Sequence, residues 1–257
     1  MFSLPALALG LAMAAAPAAK DTRLYEMRVY YAPPGKLDAL HARFRDHTMK
    51  LFEKHSITNV GYFVPVGENK ESKLVYFLSY PDRKARDASW KAFMADPDWV
   101  AAYKASEKDG TLVSKVVTAY FSPTDYSPEL KIADGKMERV FEMRTYTATK
   151  GNLDNLNARF RDHTLKLFEK YGMTNVIYWN YAKGENKDKS KDDLMLVYLL
   201  SHKSQDAAKA SFDSFRKDPD WIKARSESET KGGGSLTEAK DGVLSEFLKP
   251  TDYSPLK

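Results

Sequence analysis

The sequence contains no cysteine in its 257 residues. This absence excludes disulfide bonds, thiolate catalysis, iron–sulfur clusters and cysteine-based zinc sites. It also excludes a lipoprotein, which would need a cysteine after its cleavage site. Several enzyme signatures are missing as well, since no G-x-G-x-x-G, P-loop, G-x-S-x-G or H-E-x-x-H pattern occurs. Nucleotide-fold, serine-hydrolase and zinc-protease chemistry are therefore not expected.

The sequence also lacks a basic tract. Lysine and arginine number 40 against 35 acidic residues, which gives a net charge of +5 and a pI near 9.0. The two signs are interspersed along the chain, as is typical of a solvated surface. Nucleic-acid binding usually needs a concentrated basic stripe. No nucleic-acid partner is therefore predicted.

Long apolar runs are missing except at the N-terminus. Residues Leu4 to Ala16 form an apolar stretch of signal-peptide length, and Ala16-Pro17-Ala18 fits an A-x-A cleavage site. We therefore expect residues 1–18 to be a signal peptide and the mature protein to be periplasmic or secreted. Because no basic residue precedes the run, an uncleaved anchor helix is the alternative. No stable membrane insertion is expected after cleavage.

What the sequence does contain is a repeat. Residues 26–62 and 142–178 are identical at 25 of 37 positions at a constant offset of 116, and "ARFRDHT" stands at 42–48 and again at 158–164. "PTDYSP" closes both halves. This period is far too long for a solenoid. It predicts a tandem duplication, with domains at 22–130 and 138–257 and a boundary in "SPELKIADGK".

Each half has the same predicted element order, β-α-β-β-α(α)-β. Stretches such as "RLYEMRVYY" alternate with period two and are rich in aromatic residues, as strands are. Helices are predicted to begin at Pro-Asp pairs, where proline suits the first turn. This order is typical of a ferredoxin-like α+β unit. Two such sheets can bury their open faces together, which predicts a pseudo-twofold dimeric α/β barrel closed by one chain.

The first helix places a histidine among apolar residues. The stripe has spacings of 3, 4, 3 and 4, which correspond to one helix face: Leu37, Leu40, Phe44, His47 and Leu51. His47 and its copy His163 are therefore predicted to face the core. A buried imidazole without a partner costs about 1–3 kcal/mol, so a strand carbonyl, Asn59 or Asn175, or a ligand is expected beside it. A core histidine and a cavity-facing histidine both remain open.

The first strand of each half repeats an arginine and a tyrosine. Arg28 and Tyr30 lie on one strand face, and Arg144 and Tyr146 repeat them. They either pair with the neighbouring glutamate or line a cavity where arginine holds a carboxylate or phosphate. One core-facing histidine per half, with no second histidine nearby, makes a poor metal site, so no metal is predicted. The ligand-binding candidates are His47, His163, Arg28, Arg144, Tyr30, Tyr146, Asn59 and Asn175.

Two long segments resemble a known family. "YEMRVYYAPPGKLDALHARFRDHTMKLFEKHSITNVGYF" and "FEMRTYTATKGNLDNLNARFRDHTLKLFEKYGMTNVIYW" resemble NIPSNAP domains, which begin with a Y-E-x-R-x-Y strand, and the "DPDW" blocks fit the same family. The resemblance implies the dimeric α/β-barrel superfamily. That superfamily includes cofactor-free monooxygenases, small isomerases and haem enzymes. NIPSNAP proteins have no settled catalytic activity, and the eukaryotic members are mitochondrial.

Three functions follow as hypotheses. The preferred one is small-molecule binding in a cavity of each half, without catalysis. The second is a barrel-superfamily enzyme, monooxygenase-like or haem-dependent, that uses His47 and His163 as base or haem ligand on an aromatic or quinone-like substrate. The third is a structural or protein-interaction barrel with no ligand. No cofactor is predicted, with haem as the alternative, and a homo-oligomer is compatible with this type of barrel.

Overall fold

A computed structural model describes residues 20–131 and 139–257, called here the N-terminal half and the C-terminal half. The expected signal peptide, residues 1–18, lies outside these residues, as do residues 132–136, the second half of the polar stretch expected at the domain boundary. Across the two described ranges, no helix combines the length and the apolar character that crossing a membrane requires.

Eight strands of the described residues close into one barrel. The N-terminal half contributes β1 to β4 and the C-terminal half β5 to β8, in the spatial order β1-β3-β2-β8-β5-β7-β6-β4 with every neighbouring pair antiparallel. The strands are β1 Leu24–Tyr31, β2 Thr58–Pro65, β3 Lys73–Tyr80, β4 Lys115–Pro123, β5 Val140–Thr147, β6 Thr174–Tyr181, β7 Met195–His202 and β8 Val243–Pro250.

Six helices of the described residues pack outside the barrel. Helix α1 spans 37–54 and α4 spans 153–170, and each consists of an α, a π and a second α segment. The segments are Leu37–Arg43, Phe44–Thr48 and Met49–Lys54 in α1, and Leu153–Arg159, Phe160–Thr164 and Leu165–Lys170 in α4. The others are α2 Arg83–Ala95, α3 Pro97–Ser106, α5 Gln205–Phe215 and α6 Pro219–Lys231. A short 3-10 turn at Lys189–Lys191 precedes β7.

The barrel interior is a packed aromatic core. Strand alternation sends one set of side chains inward, where Phe77 stacks on Trp179 at a centroid distance of 5.3 Å. The other set, including Glu26 and Arg28 on β1, lies on the outer face beneath the helices. The largest inward side chains are Tyr25, Phe63, Phe77, Phe121, Phe141 and Trp179. Any cavity near the predicted site residues therefore lies between sheet and helices.

The prediction that His47 and His163 face the core is wrong, because the repeated "FRDHT" is a π-helical turn. In α1 the Met49 N–H donates to the Phe44 carbonyl, five residues back. This wider turn holds one more residue than an α-helical turn. The inward face therefore passes from Phe44 to Thr48, which is 2% exposed, and both His47 and His163 are exposed.

Asn59 and Asn175 anchor helices instead of binding a histidine. The Asn59 side-chain amide donates to the Met49 carbonyl at 3.1 Å and its oxygen accepts from the Tyr62 hydroxyl. Asn175 does the same with the Leu165 carbonyl, at 3.0 Å. Each asparagine sits beside a register shift in its strand. Both therefore fasten the second part of α1 or α4 to the sheet.

The closing "TDYSP" segment of each half contacts the first helix of the other half. Asp125, which ends the N-terminal half, accepts two hydrogen bonds from Arg161 on α4, at 2.9 and 2.7 Å. Asp252, which ends the C-terminal half, does the same with Arg45 on α1, at 2.8 and 2.9 Å. Each half is therefore fastened by the end of the other.

Candidate functional site

A cavity of about 310 Å³ lies in the N-terminal half, between the outer face of β1 and the helices α1, α2 and α3. Seven of its fifteen lining residues are aromatic, and Phe93 packs against Phe52 at 4.8 Å and against Trp99 at 4.5 Å. The aromatic side chains around it are Tyr30, Phe44, Phe52, Trp90, Phe93, Trp99 and Tyr103. Such a concave, mostly apolar space with few polar groups is typical of small-molecule sites.

Local sequence explains how the polar groups reach this wall. Alternation along β1 puts Arg28 and Tyr30 on the outer face. The π turn of α1 brings Arg43 and Thr48 inward, and the Thr48 hydroxyl donates to the Arg43 carbonyl at 3.0 Å. The repeated motif therefore shapes the cavity through Arg43 and Thr48 instead of through its histidine.

The "DPDW" motif builds the far side of the cavity. Asp96 caps α3 by accepting from the Asp98 N–H at 2.8 Å, and Pro97 occupies the first turn. This start directs Trp99 inward, where it is 8% exposed and lies 5.6 Å from the Arg43 guanidinium. The motif thus supplies one aromatic wall.

A buried carboxylate holds the base of the cavity. Glu26 is fully buried and accepts from Arg28 at 2.7 Å, from two nitrogens of Arg86 at 2.9 Å each, and from the Tyr80 hydroxyl at 3.1 Å. Burial alone would raise the pKa of Glu26, but the Arg86 hydrogen bonds and the Arg28 charge outweigh it and hold this pKa below its ordinary value. Glu26 is therefore ionised at neutral pH and fixes both arginines.

Arg43 is the most deeply buried cation of the wall, with a side chain 4% exposed. It donates to Glu107 at 3.0 Å and to the Ser106 hydroxyl at 3.3 Å, and the Tyr103 ring lies 5.3 Å from its guanidinium. Burial would raise the pKa of Glu107, but Tyr103 and Arg43 lower it below its ordinary value. Glu107 is thus ionised at neutral pH beside the Arg43 guanidinium.

Three buried polar atoms around this cavity have no hydrogen-bond partner among the described residues: Arg28 Nε, Arg43 Nε and the Tyr76 hydroxyl. Burial raises the pKa of Tyr76 well above its ordinary value, so its hydroxyl stays protonated. A buried donor left unsatisfied costs about 1–3 kcal/mol. The wall therefore has unused hydrogen-bonding capacity in its polar part.

Comparison with protein-family models shows which family this chain belongs to. The model described as NIPSNAP matches residues 25–128 and 141–255, most of the chain. The chain belongs to the NIPSNAP family. The resemblance inferred from the sequence is confirmed. None of the curated proteins compared with this chain matches it.

Two solved structures similar to this NIPSNAP chain share its fold. A candidate monooxygenase from Lactobacillus acidophilus NCFM covers 90% of the chain and 94% of itself, at a TM-score of 0.55 and 9% identity. An anthrone oxidase-like protein covers 92% and 95%, at 0.58 and 9%. A NIPSNAP family protein from Agrobacterium tumefaciens C58 covers 42% and 93%, at 0.37 and 22%. The closed barrel of this chain and its likeness to the first two structures confirm the predicted α/β barrel.

The C-terminal half of the NIPSNAP chain repeats the carboxylate with different partners. Glu142 accepts from Arg144 at 2.6 Å and from the Ser245 hydroxyl at 2.5 Å, and it lies 3.1 Å from the His202 Nε2. His202 stands where the N-terminal half has Tyr80, and Ala208 stands where it has Arg86. Burial would raise the pKa of Glu142, but these neighbours lower it.

Arg144 also differs from Arg28 in its bonding. Its Nε donates to the Tyr198 hydroxyl at 3.0 Å, so the counterparts of Arg28 Nε and the Tyr76 hydroxyl satisfy each other. Three depressions of about 570, 550 and 170 Å³ open on the C-terminal half, and none of them is lined by Arg144 or Tyr146. The halves share a scaffold but not the cavity.

The predicted site residues thus separate into groups. Arg28 and Tyr30 line the cavity. Arg144 and Tyr146 hold the equivalent strand positions in the C-terminal half, and the exposed His163 lies in the 170 Å³ depression. Across residues 20–131 and 139–257, no three histidine, cysteine or acidic side chains are grouped as a metal site requires.

Sequence reasoning missed four residues of the cavity, Arg43, Thr48, Trp90 and Glu107, and also His202 in the carboxylate network of the C-terminal half. Arg43 lies in the repeated motif, but its inward position depends on the π turn. The signal for His202 was its alignment with Tyr80 at the end of the third strand of each half. A polar residue at that position in both copies could have predicted a buried partner for the strand carboxylate.

Proposed function

We propose that this NIPSNAP protein binds a small molecule in the cavity of its N-terminal half. The observation that carries the proposal is the aromatic cavity of about 310 Å³ whose wall includes buried arginine nitrogens with no hydrogen-bond partner in the part of the chain that the structure describes. Small-molecule sites have volumes of roughly 300–1,000 Å³ and combine apolar walls with a few placed polar groups. The ligand is correspondingly small.

The proposal includes an origin for the difference between the halves. We take residues 22–130 and 138–257 to be two ferredoxin-like units that arose by tandem duplication and close a pseudo-twofold barrel. The matching strand orders β4-β1-β3-β2 and β8-β5-β7-β6 support this, as do the paired π turns. In this account the N-terminal unit keeps a ligand site, while in the C-terminal unit Tyr198 satisfies Arg144 internally.

Native mass spectrometry of protein purified from its own host tests the binding. We expect a bound mass that is released on denaturation. Val116 lines the cavity and is 44% exposed, so Val116→Trp should obstruct this side and remove the extra mass. Val243 is the matched position in the C-terminal half, 42% exposed, and Val243→Trp should keep the ligand. A wild-type protein that carries no extra mass contradicts the proposal and favours a barrel without a ligand.

Export forms a separate part of the proposal. The apolar stretch from Leu4 to Ala16 and the Ala16-Pro17-Ala18 site support cleavage after residue 18. The intact mass of the protein recovered from the periplasm or medium should then begin at Ala19. Recovery of the full-length chain in the membrane fraction would support the anchor alternative instead.

A monooxygenase-type oxidation is the second candidate. The observation that favours it is the shared fold with the candidate monooxygenase and the anthrone oxidase-like protein over at least 90% of this chain. An anthrone would be converted by O₂ to an anthraquinone and water, and Glu107 is a cavity carboxylate that could accept the first proton. Its lowered pKa makes it a weak base. Oxygen uptake with anthrone, compared between wild type and Glu107→Gln, tests this activity.

The haem-dependent version with His47 or His163 as the iron ligand does not fit the residues present. Haem iron needs a protein ligand such as a histidine. The proposed ligands His47 and His163 are exposed, and the residues that line the cavity include no histidine. No step of the proposed function is therefore derived through haem.

A further inference from the structure

The cavity has a polar end built around one buried cation. Arg43 has its side chain 96% buried, and its Nη1 donates to Glu107 and Ser106 while its Nε has no partner among the described residues. The edge formed by Nε and the second terminal nitrogen is the one that binds carboxylates with two parallel hydrogen bonds. Arg43 therefore has an unused carboxylate-binding edge beside a mostly apolar cavity.

A second arginine adds to this preference. Arg28 lines the same cavity, and its Nε is likewise buried without a partner. Its carboxylate partner Glu26 is shared with Arg86, so two guanidinium groups meet one buried carboxylate. Arg86 also contacts Asp87, but that residue is 53% exposed and an exposed pair contributes little. The buried part of the wall is therefore short of negative charge.

The rest of the wall selects a flat apolar body. Phe52, Trp90, Phe93 and Trp99 enclose the space, and exposed Met94 extends the apolar surface outward. Aromatic rings favour offset or edge contacts with other rings. A cavity at the lower end of the usual size range suits about two fused rings.

We propose that the ligand is an aromatic carboxylate whose acidic group accepts hydrogen bonds from Arg43, with Arg28 providing additional positive charge and the rings packed between Trp90 and Trp99. This inference rests on the proposed small-molecule function and specifies its ligand class. The C-terminal half provides a matched comparison, since Arg159 repeats Arg43 there with Nε also unpartnered among the described residues. Phe212 replaces Trp90 in that half, and its 170 Å³ depression has polar walls.

A pair of probes tests the ligand class. 2-Naphthoate and 2-naphthamide have nearly the same shape but differ in charge, and both can be titrated by quenching of tryptophan fluorescence. Two of the four tryptophans, Trp90 and Trp99, line the cavity. We expect the naphthoate to bind at least tenfold more tightly than the amide. Equal affinities would overturn the inference and leave cavity binding standing.

Variants of Arg43 assign the preference. Arg43→Met should remove the tenfold difference while keeping amide binding, and Arg43→Lys should retain part of it through the remaining charge. Arg159→Met is the matched control and should leave both affinities unchanged. A preference that survives Arg43→Met, or that is lost with Arg159→Met, contradicts the assignment. If Arg43→Met fails to fold, the naphthoate-to-amide ratio of the wild type still decides the ligand class.

Different results would contradict the carboxylate inference and the proposed small-molecule binding. If the amide binds as well as the acid, only the carboxylate inference is wrong. If neither probe binds and native mass spectrometry finds no retained mass, both the inference and the proposed function are wrong. A retained natural ligand without an acidic group would also overturn the inference while supporting binding.

Discussion

Arg45 and Asp252 lie 207 positions apart and form a two-point ion pair, with nitrogen–oxygen distances of 2.8 and 2.9 Å. The pair fastens the last residues of the C-terminal half to the first helix of the N-terminal half. Beside it, the Tyr253 hydroxyl lies 2.7 Å from the His41 Nδ1, and the Ser254 hydroxyl accepts from the Tyr62 N–H at 2.9 Å. The contact is therefore an ion pair placed over a more buried group of hydrogen bonds.

Tyr253 should provide most of the stabilisation that comes from this contact. Arg45 and Asp252 are exposed, so Asp252→Ala should cost less than about 1 kcal/mol of unfolding free energy. Tyr253 packs on the Tyr62 ring at 5.4 Å, and Tyr253→Ala should cost about 2 kcal/mol. Urea unfolding of the two variants measures both values. A larger loss for Asp252→Ala than for Tyr253→Ala would contradict this division.

Because of the π turn, substitutions at the adjacent residues His47 and Thr48 should change the stability of the fold by different amounts. His47 is exposed, so replacing His47 and His163 together with alanine should change stability by no more than about 0.5 kcal/mol per site. Thr48→Val removes the hydrogen bond to the Arg43 carbonyl and should cost about 1 kcal/mol or more. Thermal and urea unfolding compare the variants. A strongly destabilised histidine variant would show that the histidines face inward after all.

Acid should weaken the fold through Glu26. Its pKa is lower in the folded protein than the ordinary value of about 4.3. A group with a lowered folded pKa contributes stability that is fully present above its unfolded pKa and is lost as pH falls through the folded value. The stability difference between wild type and Glu26→Gln should therefore stay constant from pH 7 to about pH 5 and shrink below that. Unfolding free energies between pH 7 and 3 provide the check, and a difference that is unchanged at pH 3 would be inconsistent with this linkage.

Each buried carboxylate should tolerate the hydrogen-bond donor that the other half uses at the equivalent position. His202 is 3% exposed and lies 3.1 Å from Glu142, where the N-terminal half uses a tyrosine hydroxyl. His202→Tyr can keep a donor for Glu142 and should cost less than His202→Phe, which removes it and should cost about 1–3 kcal/mol. Chemical denaturation of both variants measures the difference. Equal losses would mean that packing at this position matters and the hydrogen bond does not.

Much of the architecture was predictable because it depends on local patterns. Period-two alternation placed the strands, Pro-Asp pairs placed helix starts, and the order of elements suggested a barrel. The face of β1 that carries Arg28 and Tyr30 could also be read from alternation. These features follow from the neighbours of each residue in sequence.

The rest depends on contacts that a periodicity does not contain. His47 was placed inward because a 3.6-residue repeat was assumed, and nothing in the letters "FRDHT" distinguishes a π turn from an α-helical one. The same turn hides the inward position of Arg43. The pairing of Arg45 with Asp252 was likewise unreadable, since it joins a helix in one half to the closing segment of the other.

The most direct test of the central claim is a crystal structure of the protein with 2-naphthoate bound. We expect one molecule in the N-terminal cavity, with rings between Trp90 and Trp99 and its carboxylate about 3 Å from the Arg43 guanidinium. Naphthoate bound only outside this cavity, or a cavity closed by its own side chains in the complex, would contradict it.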